Sequence, residues 1–485
     1  MRKPIEEELV QKGILTEGQI RRAKYFALGR PGKSLEEVLT ELGYISEETL
    51  ADMRKEGTEE PEDQAGNRED GTTIRADDPS AQRNIWEEEE ENERPAVFIV
   101  RSVIERAYDL GASDIHVEPG AEKMTIRFRV NGELRLYGSL PMELHRGVIT
   151  RLKVMGNMDI AVKTLPQDGA CRYIRGRIRA DLRISAVPGV YGEKIVLRLL
   201  DTGRDDHLMD VERMGMVPEQ IRLFDRLLKA PYGLILVTGP TGSGKTTTLY
   251  GALKRLSDRN INIMTAEDPV EKLMEGVNQL QIRPGSGLTF AAALRAILRQ
   301  DPDVIMVGEM RDEETVSIGL RAAITGHLVL STLHTGDCAS AVTRLLDMKA
   351  APYFVASALT GVIAQRLVKE LCPCCKQPCE PGTDQIKLYR RLTEGEEETP
   401  LPLFWRAVGC DRCKGTGWKG RRAVYEMMEV DQQIREMILE GATAGKIRSY
   451  HKSRGLPGLK SLGVAMVRAG ETTLEELETL VYDVG

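Results

Sequence analysis

A chain of 485 residues exceeds what one hydrophobic core organises, and 41% apolar residues supply material for about three domains. With 67 Lys and Arg against 74 Asp and Glu, the net charge of -7 exerts no overall pull on a polyanion, so nucleic acid is a disfavoured partner. The opening MRKPIEEELVQKG lacks a signal-like apolar run and no stretch approaches the ~20 apolar residues of a membrane span; the expectation is a cytoplasmic protein whose 8 cysteines read first as metal ligands, not disulfides.

Residues 1–56 carry a weak repeat. EELVQKGILTEGQI from Glu7 and EVLTELGYISEETL from Glu37 share the order Leu, Gly, apolar, Thr or Ser, Glu, which predicts two short helical hairpins. From 57 to 94 apolar residues nearly vanish and the stretch ends in the acidic run Glu87 to Glu91, so a disordered linker is expected, a solvated tether rather than an acidic docking tail. Order resumes at Pro95. The helical pattern VFIVRSVIERAYDLG is followed by alternating strands such as MTIRFRV and ADLRISAV, with turn signals at Asn131-Gly132 and Pro188-Gly189, and residues 95–205 read as an α+β domain. In 206–370 the apolar strands LILV, INIMTA, VIMVGE and LVLST alternate with helical segments, the order of an α/β domain with a parallel sheet. The tail 423–485, with REMIL, MVRAG and LEELETLVYD, reads as a small helical bundle.

The run GPTGSGKT follows the strand LILV and has the parts of a phosphate-binding loop. In Gly239, Pro240, Thr241, Gly242, Ser243 and Gly244, glycines let successive backbone N–H groups converge on an anion; Lys245 reaches the β and γ oxygens, and the Thr246 hydroxyl suits Mg²⁺, with Thr247 opening the helix behind it. The expected ligand is ATP with Mg²⁺. Hydrolysis needs a carboxylate beside the γ-phosphate, and Glu309, at the end of the strand VIMV, is expected to act as general base or to position the attacking water. Glu267 and Asp268, closing INIMTA, suit the Mg²⁺ hydration shell or an attacking water, or else cap the next segment. His327 precedes the strand LVLST and His334 follows it; spacing alone leaves each divided between a γ-phosphate contact and a structural role.

Residues 371–422 hold two CxxC knuckles, Cys372 to Cys375 and Cys410 to Cys413, and four thiolates so paired match structural Zn²⁺. Cys374 and Cys379 leave the choice of ligands open, and Cys171 and Cys338 read as small core residues.

Taken in order, ASDIHVEP from Ala112, GPTGSGKTTTLY, AEDPVE from Ala266, LRAILRQDPDVIMVGEMRDEET and TGHLVLSTLHT resemble the ATPases of type II secretion and type IV pilus assembly, from about Pro95 to near the C-terminus. That resemblance implies a homohexameric motor with a PAS-like domain before a RecA-like ATPase domain, bound peripherally at the inner face of the cytoplasmic membrane to an inner-membrane platform protein. It places Glu267 and Asp268 in an Asp box, Glu309 in a Walker B segment, and His327 and His334 in a His box. It also makes Arg183 and Arg198 the arginines that complete a nucleotide site, a role that suits a guanidinium. Ala170 stands where the family commonly has an arginine after PQDG, which puts a third arginine contact in doubt unless Arg172 substitutes. The N-terminal repeat resembles domains that bind cyclic di-GMP through a motif opening in Arg-Leu-Gly, but Pro4-Ile5-Glu6 and Ser34-Leu35-Glu36 stand there instead, so protein docking without dinucleotide binding is expected. A DNA-translocating ring ATPase is the rival reading, which the acidic balance disfavours.

Overall fold

The computed structural model describes residues 95–481 except 177, 201–208, 258, 394–400 and 456, together with residues 9, 12, 14, 15, 20, 23, 35–41, 44 and 45. The expected linker and most of the positions compared with the cyclic di-GMP motif lie outside the described residues. In the N-terminal stretch, Leu9, Leu15, Ile20, Ala23, Leu39 and Ile45 pack together, with helix α1 (Leu35–Glu41) supplying Leu39. The repeat is structural: Ile14 N–H donates to Leu9 O and Tyr44 N–H to Leu39 O, both at 3.0 Å, thirty positions apart in sequence.

The chain divides into two compact units, Met1–Thr202 and Gly203–Gly485. The first holds a six-stranded antiparallel sheet ordered β3-β2-β1-β6-β5-β4. Its strands are β1 (Ala112–Pro119), β2 (Lys123–Val130), β3 (Glu133–Pro141), β4 (Gln167–Arg175), β5 (Ile178–Gly189) and β6 (Gly192–Leu200). Helices α2 (Pro95–Leu110) and α3 (His145–Met155) cover one face: Ile99, Val103, Val148 and Leu152 pack on Ile115, Phe128, Ile184 and Leu197. Side chains alternate across each strand, so the intervening polar residues line the other face.

The second unit has a seven-stranded sheet ordered β15-β12-β7-β11-β10-β8-β9. It comprises β7 (Gly233–Thr238), β8 (Ile263–Glu267), β9 (Val277–Gln281), β10 (Val304–Val307), β11 (Leu328–Leu333), β12 (Leu359–Leu371) and β15 (Trp418–Glu429). All neighbours are parallel except β15, which runs antiparallel to β12. The buried runs are apolar because both faces are covered: Leu234 and Leu236 enter one core while Ile235 and Val237 enter the other. Among the covering helices are α4 (Pro218–Leu228), α5 (Lys245–Ser257), α6 (Phe290–Ile297), α7 (Glu313–Ile324), α8 (Cys338–Asp347) and α9 (Pro352–Ala358). Asp312 and Asp337 cap α7 and α8 by accepting the N–H groups of Thr315 and Ser340.

A short strand pair, β13 (Gln377–Cys379) and β14 (Phe404–Arg406), and α10 (Thr383–Leu392) occupy residues 372–417, an insertion between β12 and β15. The boundary expected at 422 therefore falls inside β15, and the sheet of the expected motor core is completed by residues beyond 370. Among the described residues four helices follow, α11 (Gln432–Leu439), α12 (Ala444–Ser453), α13 (Leu459–Arg468) and α14 (Leu474–Val481). Among the described residues, no helix is long and apolar enough to cross a membrane.

Candidate active site

The loop 239–244 leaves the C-terminal end of β7 and feeds α5. The neighbouring strands β11 and β10 end in the same place, so Glu309 and His334 emerge at the edge where open α/β sheets bind ligands. The loop can close only with glycine. Gly239 has φ 153° and Gly244 φ 87°, and a Cβ on Gly239 would stand 2.4 Å from Gln365 O. Lys245 Nζ donates to Gly239 O at 2.8 Å and Pro240 O at 3.0 Å, folded across the loop it serves. Burial, partly offset by Glu309, pushes its ammonium down to about 8. Thr246 stands exposed on the first turn of α5, and the buried Ser243 Oγ has no partner.

Glu309 is set between a guanidinium and an imidazole. Its side chain is 14% exposed; Oε1 lies 2.6 Å from Arg311 Nη2 and Oε2 lies 3.6 Å from His334 Nε2. Burial and then Lys245 lower the imidazole of His334 against the pull of Glu309, so the ring is neutral at neutral pH and can both donate and accept. His327 is not brought to this place. It precedes β11 at the opposite edge of the sheet, roughly 20 Å away along the strand, with Nδ1 2.9 Å from Ala322 O.

The acidic pair at the end of β8 divides. Glu267 is buried and accepts from Tyr250 OH and Thr265 Oγ1, each at 2.6 Å, and from Gln279 Nε2 at 3.0 Å, so its oxygens anchor structure. The same Tyr250 hydroxyl accepts the N–H groups of Glu271 and Lys272, fastening the 268–272 turn to α5. Asp268 is exposed, and its bond to Pro269 is cis. Of the two carboxylates, Asp268 is the one positioned to meet solvent or a hydrated cation.

Arg183 and Arg198 belong to the first unit, directly opposite each other on β5 and β6. Ala170 on β4 faces Arg183. Arg172, two positions along, is held by Asp181, its Nε 2.8 Å from Oδ1.

Two residues at the phosphate loop escaped the motif reading. Gln365 on β12 is buried, donates from Nε2 to Ser243 O at 2.8 Å and accepts from Thr248 Oγ1 at 2.7 Å. Arg366 beside it donates to Gln365 O and Gly336 O. Their signal was a Gln-Arg pair inside the apolar strand GVIAQRLV, where a polar side chain needs a partner. Replacing Gln365 with Met strands the Ser243 carbonyl and leaves the Thr248 hydroxyl only the longer contact to Tyr425 OH at 3.4 Å, at about 1–3 kcal/mol. The expected result is about a tenfold weaker hold on a nucleoside triphosphate, measured by fluorescent-analogue titration. An unchanged Kd contradicts the bracing role.

The sulfur atoms of Cys372, Cys375, Cys410 and Cys413 all lie within 4.8 Å of one another. The separations 372–410, 375–413 and 410–413 are 3.9, 3.8 and 3.8 Å. Tetrahedral thiolates at the Zn–S distance of about 2.3 Å stand about 3.8 Å apart, so the group fits zinc. Amides support the charge: Cys410 N–H and Gly417 N–H donate to Cys413 Sγ and Gly409 N–H to Cys375 Sγ. Cys374 stands outside the group, accepting from Arg412 Nη1, and Cys379 sits on β13.

The family model described as Type II/IV secretion system protein matches residues 89–479. The type IV pilus assembly ATPase PilB of Thermus thermophilus is 45% identical over 386 residues, 80% of this chain and 43% of that protein. The type II secretion system ATPase E of Vibrio cholerae is 43% identical over 80% of this chain and 76% of its own length. PilB of Myxococcus xanthus is 39% identical over 96% of this chain and 77% of its own. The chain thus spans less than half of the Thermus relative and about three quarters of the other two. Among solved structures, the pilus retraction motor PilT with bound ADP aligns at TM-score 0.52 and 26% identity, over 78% of this chain and 96% of that one. The Legionella pneumophila ATPase DotB aligns at TM-score 0.57 and 23% identity, over 81% and 97%, which speaks to the fold. The architecture is α/β, with a RecA-like core, a tetracysteine cluster and a helical C-terminal region.

Proposed function

This chain belongs to the type II/IV secretion system protein family, and from that premise we propose that it is a homohexameric ATPase powering pilus or secretion-pseudopilus assembly through an inner-membrane platform protein. One observation carries the catalytic part: the phosphate loop, Glu309 and His334 converge at the ends of adjacent strands β7, β10 and β11. In this reading Lys245 and the loop amides hold the β and γ phosphates. Thr246 would hold Mg²⁺, and Asp268 its hydration shell, and the ion would supply charge neutralisation on the phosphate oxygens. Glu309 orients a water and takes its proton as the water oxygen bonds to the γ-phosphorus. The bond from that phosphorus to the bridging oxygen of ADP breaks, giving ADP and phosphate. His334, neutral, donates to a γ oxygen and so reports its presence. Arg183 and Arg198 reach the same phosphate from a neighbouring subunit, and loss of phosphate releases them, which couples chemistry to subunit movement. Cys372, Cys375, Cys410 and Cys413 would hold zinc in a closed structural site, since four protein ligands leave no position for substrate.

The deciding measurement is phosphate release by the oligomeric protein with Mg²⁺ and ATP, with and without the cytoplasmic domain of its platform protein. Stimulation by that domain supports the proposal, whereas stimulation by DNA alone overturns it. A pH test follows from Lys245. An amine held down to about 8 loses its proton above that value in the free protein, and phosphate binding requires the ammonium. Affinity for ATP is therefore expected to fall from pH 8 to pH 10, by up to about tenfold per unit, with proton uptake on binding. A Kd constant across that window contradicts the assignment.

A further inference from the structure

One row of side chains crosses the sheet of the first unit. Arg129 on β2 faces Asp114 on β1, Asp114 faces Arg198 on β6, Arg198 faces Arg183 on β5, and Arg183 faces Ala170 on β4. The adjacent residues Ile115, Phe128, Leu197, Leu182 and Ile184 enter the core under α2 and α3, so this row lies on the uncovered face. Two guanidiniums, those of Arg198 and Arg129, meet the one carboxylate of Asp114 there, and Arg183 stands directly opposite Arg198.

Asp114 is built to hold one of those guanidiniums. Its side chain is 7% exposed, while that of Arg198 is 63% exposed. Oδ1 accepts from Arg198 Nε at 2.9 Å; Oδ2 accepts from Ser113 Oγ at 2.8 Å and lies 3.6 Å from Arg129 Nε. A bulge in β1 between Ala112 and Asp114 brings the Ser113 hydroxyl to its neighbour's carboxylate. A buried carboxylate is a poor source of stability, but it fixes the rotamer of a long side chain well. Because Asp114 takes Nε, the other edge of the planar fork, with Nη1 and Nη2, is left to grip a second anion.

We infer that Asp114 is a positioning residue for Arg198, holding its guanidinium through Nε so that the terminal nitrogens meet the γ-phosphate as a preset fork. The inference rests on the role proposed above for Arg198, and it gives the ASDIHVEP motif a task in the reaction. Asp114 touches no substrate and acts through the arginine alone.

A double-mutant cycle on the full-length oligomer tests it, with kcat, KM and thermal midpoint measured for each protein. Arg198→Ala is expected to lower kcat by at least about 10²-fold, the effect of removing one transition-state donor. Asp114→Ala should lower kcat by about tenfold or more with KM little changed, as misplacement of a catalytic group does. Asp114→Asn, which keeps an acceptor for Nε, should recover most of that loss. The Asp114→Ala, Arg198→Ala double variant should be no slower than Arg198→Ala alone. Losses that multiply, or a parental kcat for Asp114→Ala, overturn the inference and leave the role of Arg198 standing. A parental kcat for Arg198→Ala instead removes that role itself, and the inference with it. If Asp114→Ala does not fold, the same cycle run with Asp114→Leu, which fills the site but offers Nε no acceptor, decides by the same criterion of additivity.

Discussion

Replacing Glu309 with Gln is expected to slow phosphate release by about 10³-fold while ATP affinity stays within about threefold. The size follows from what a positioned base contributes, about 10²- to 10⁴-fold. Gln keeps the shape and can still accept hydrogen bonds, so the contacts to Arg311 and His334 at 2.6 and 3.6 Å lose their charge but not their geometry. Binding survives because the loop, Lys245 and Thr246 are untouched. Lys245→Ala should give the complementary result, loss of binding together with turnover, since its ammonium is the only lysine charge set within the loop. The pair of variants therefore separates chemistry from binding, measured by phosphate release and by nucleotide titration. A Glu309→Gln protein that hydrolyses ATP at the parental rate contradicts the assignment.

The second large effect concerns the thiolate cluster. The insertion 372–417 is joined to the rest of the unit at one end, where Tyr389, Leu392 and Phe404 enter the main core and Arg468 Nε donates to Tyr389 OH at 2.8 Å, while its cysteine end carries only short elements of its own, a pair of three-residue strands among them. Binding of structural zinc supplies folding free energy of about 10–16 kcal/mol in small modules, so losing two ligands should be felt directly. Cys410→Ser with Cys413→Ser is expected to abolish metal content and lower the thermal midpoint by roughly 10 °C. The β12 and β15 pairing should persist, because its register from Gly361–Glu429 to Leu371–Trp418 does not depend on the insertion's own strands. Elemental analysis and thermal unfolding check both. Unchanged metal content or an unchanged midpoint removes the structural role. Exchange of Cys374 or Cys379 should leave both measurements alone, as neither sulfur belongs to the cluster.

Motifs read along one stretch of chain were legible from the start. A strand buried on both faces is a short apolar run, so LILV, VIMV and LVLSTL announced themselves. A phosphate loop is a strand, a turn and a helix start in sequence order, and a pair of CxxC knuckles is a spacing. For the same reason Lys245, Thr246, Glu309 and the cysteines at 372, 375, 410 and 413 could be named without coordinates. Strand β15 was less legible. Residues 423–429 were expected to open a helical region, yet they belong to a strand whose partner lies on the far side of an insertion.

What tertiary structure alone decided depends on which strands lie side by side and in what register. Glu267 and Asp268 are equivalent in the sequence, but Tyr250, Thr265 and Gln279 converge on the first and leave the second to solvent. His327 and His334 flank the same strand, and its length sends them to opposite edges of the sheet. Gln365 reaches the phosphate loop only because β12 pairs with β7, and Asp114 meets Arg198 only because β1 pairs with β6. The chain's own pattern thus determined where a phosphate-type loop and a tetracysteine cluster form, since backbone turns and ligand spacings are local. Pairing between distant strands determined which side chains stand beside that loop and beside Arg198, because hydrogen-bond reach is a few ångströms and only the folded sheet brings residues more than eighty positions apart within it.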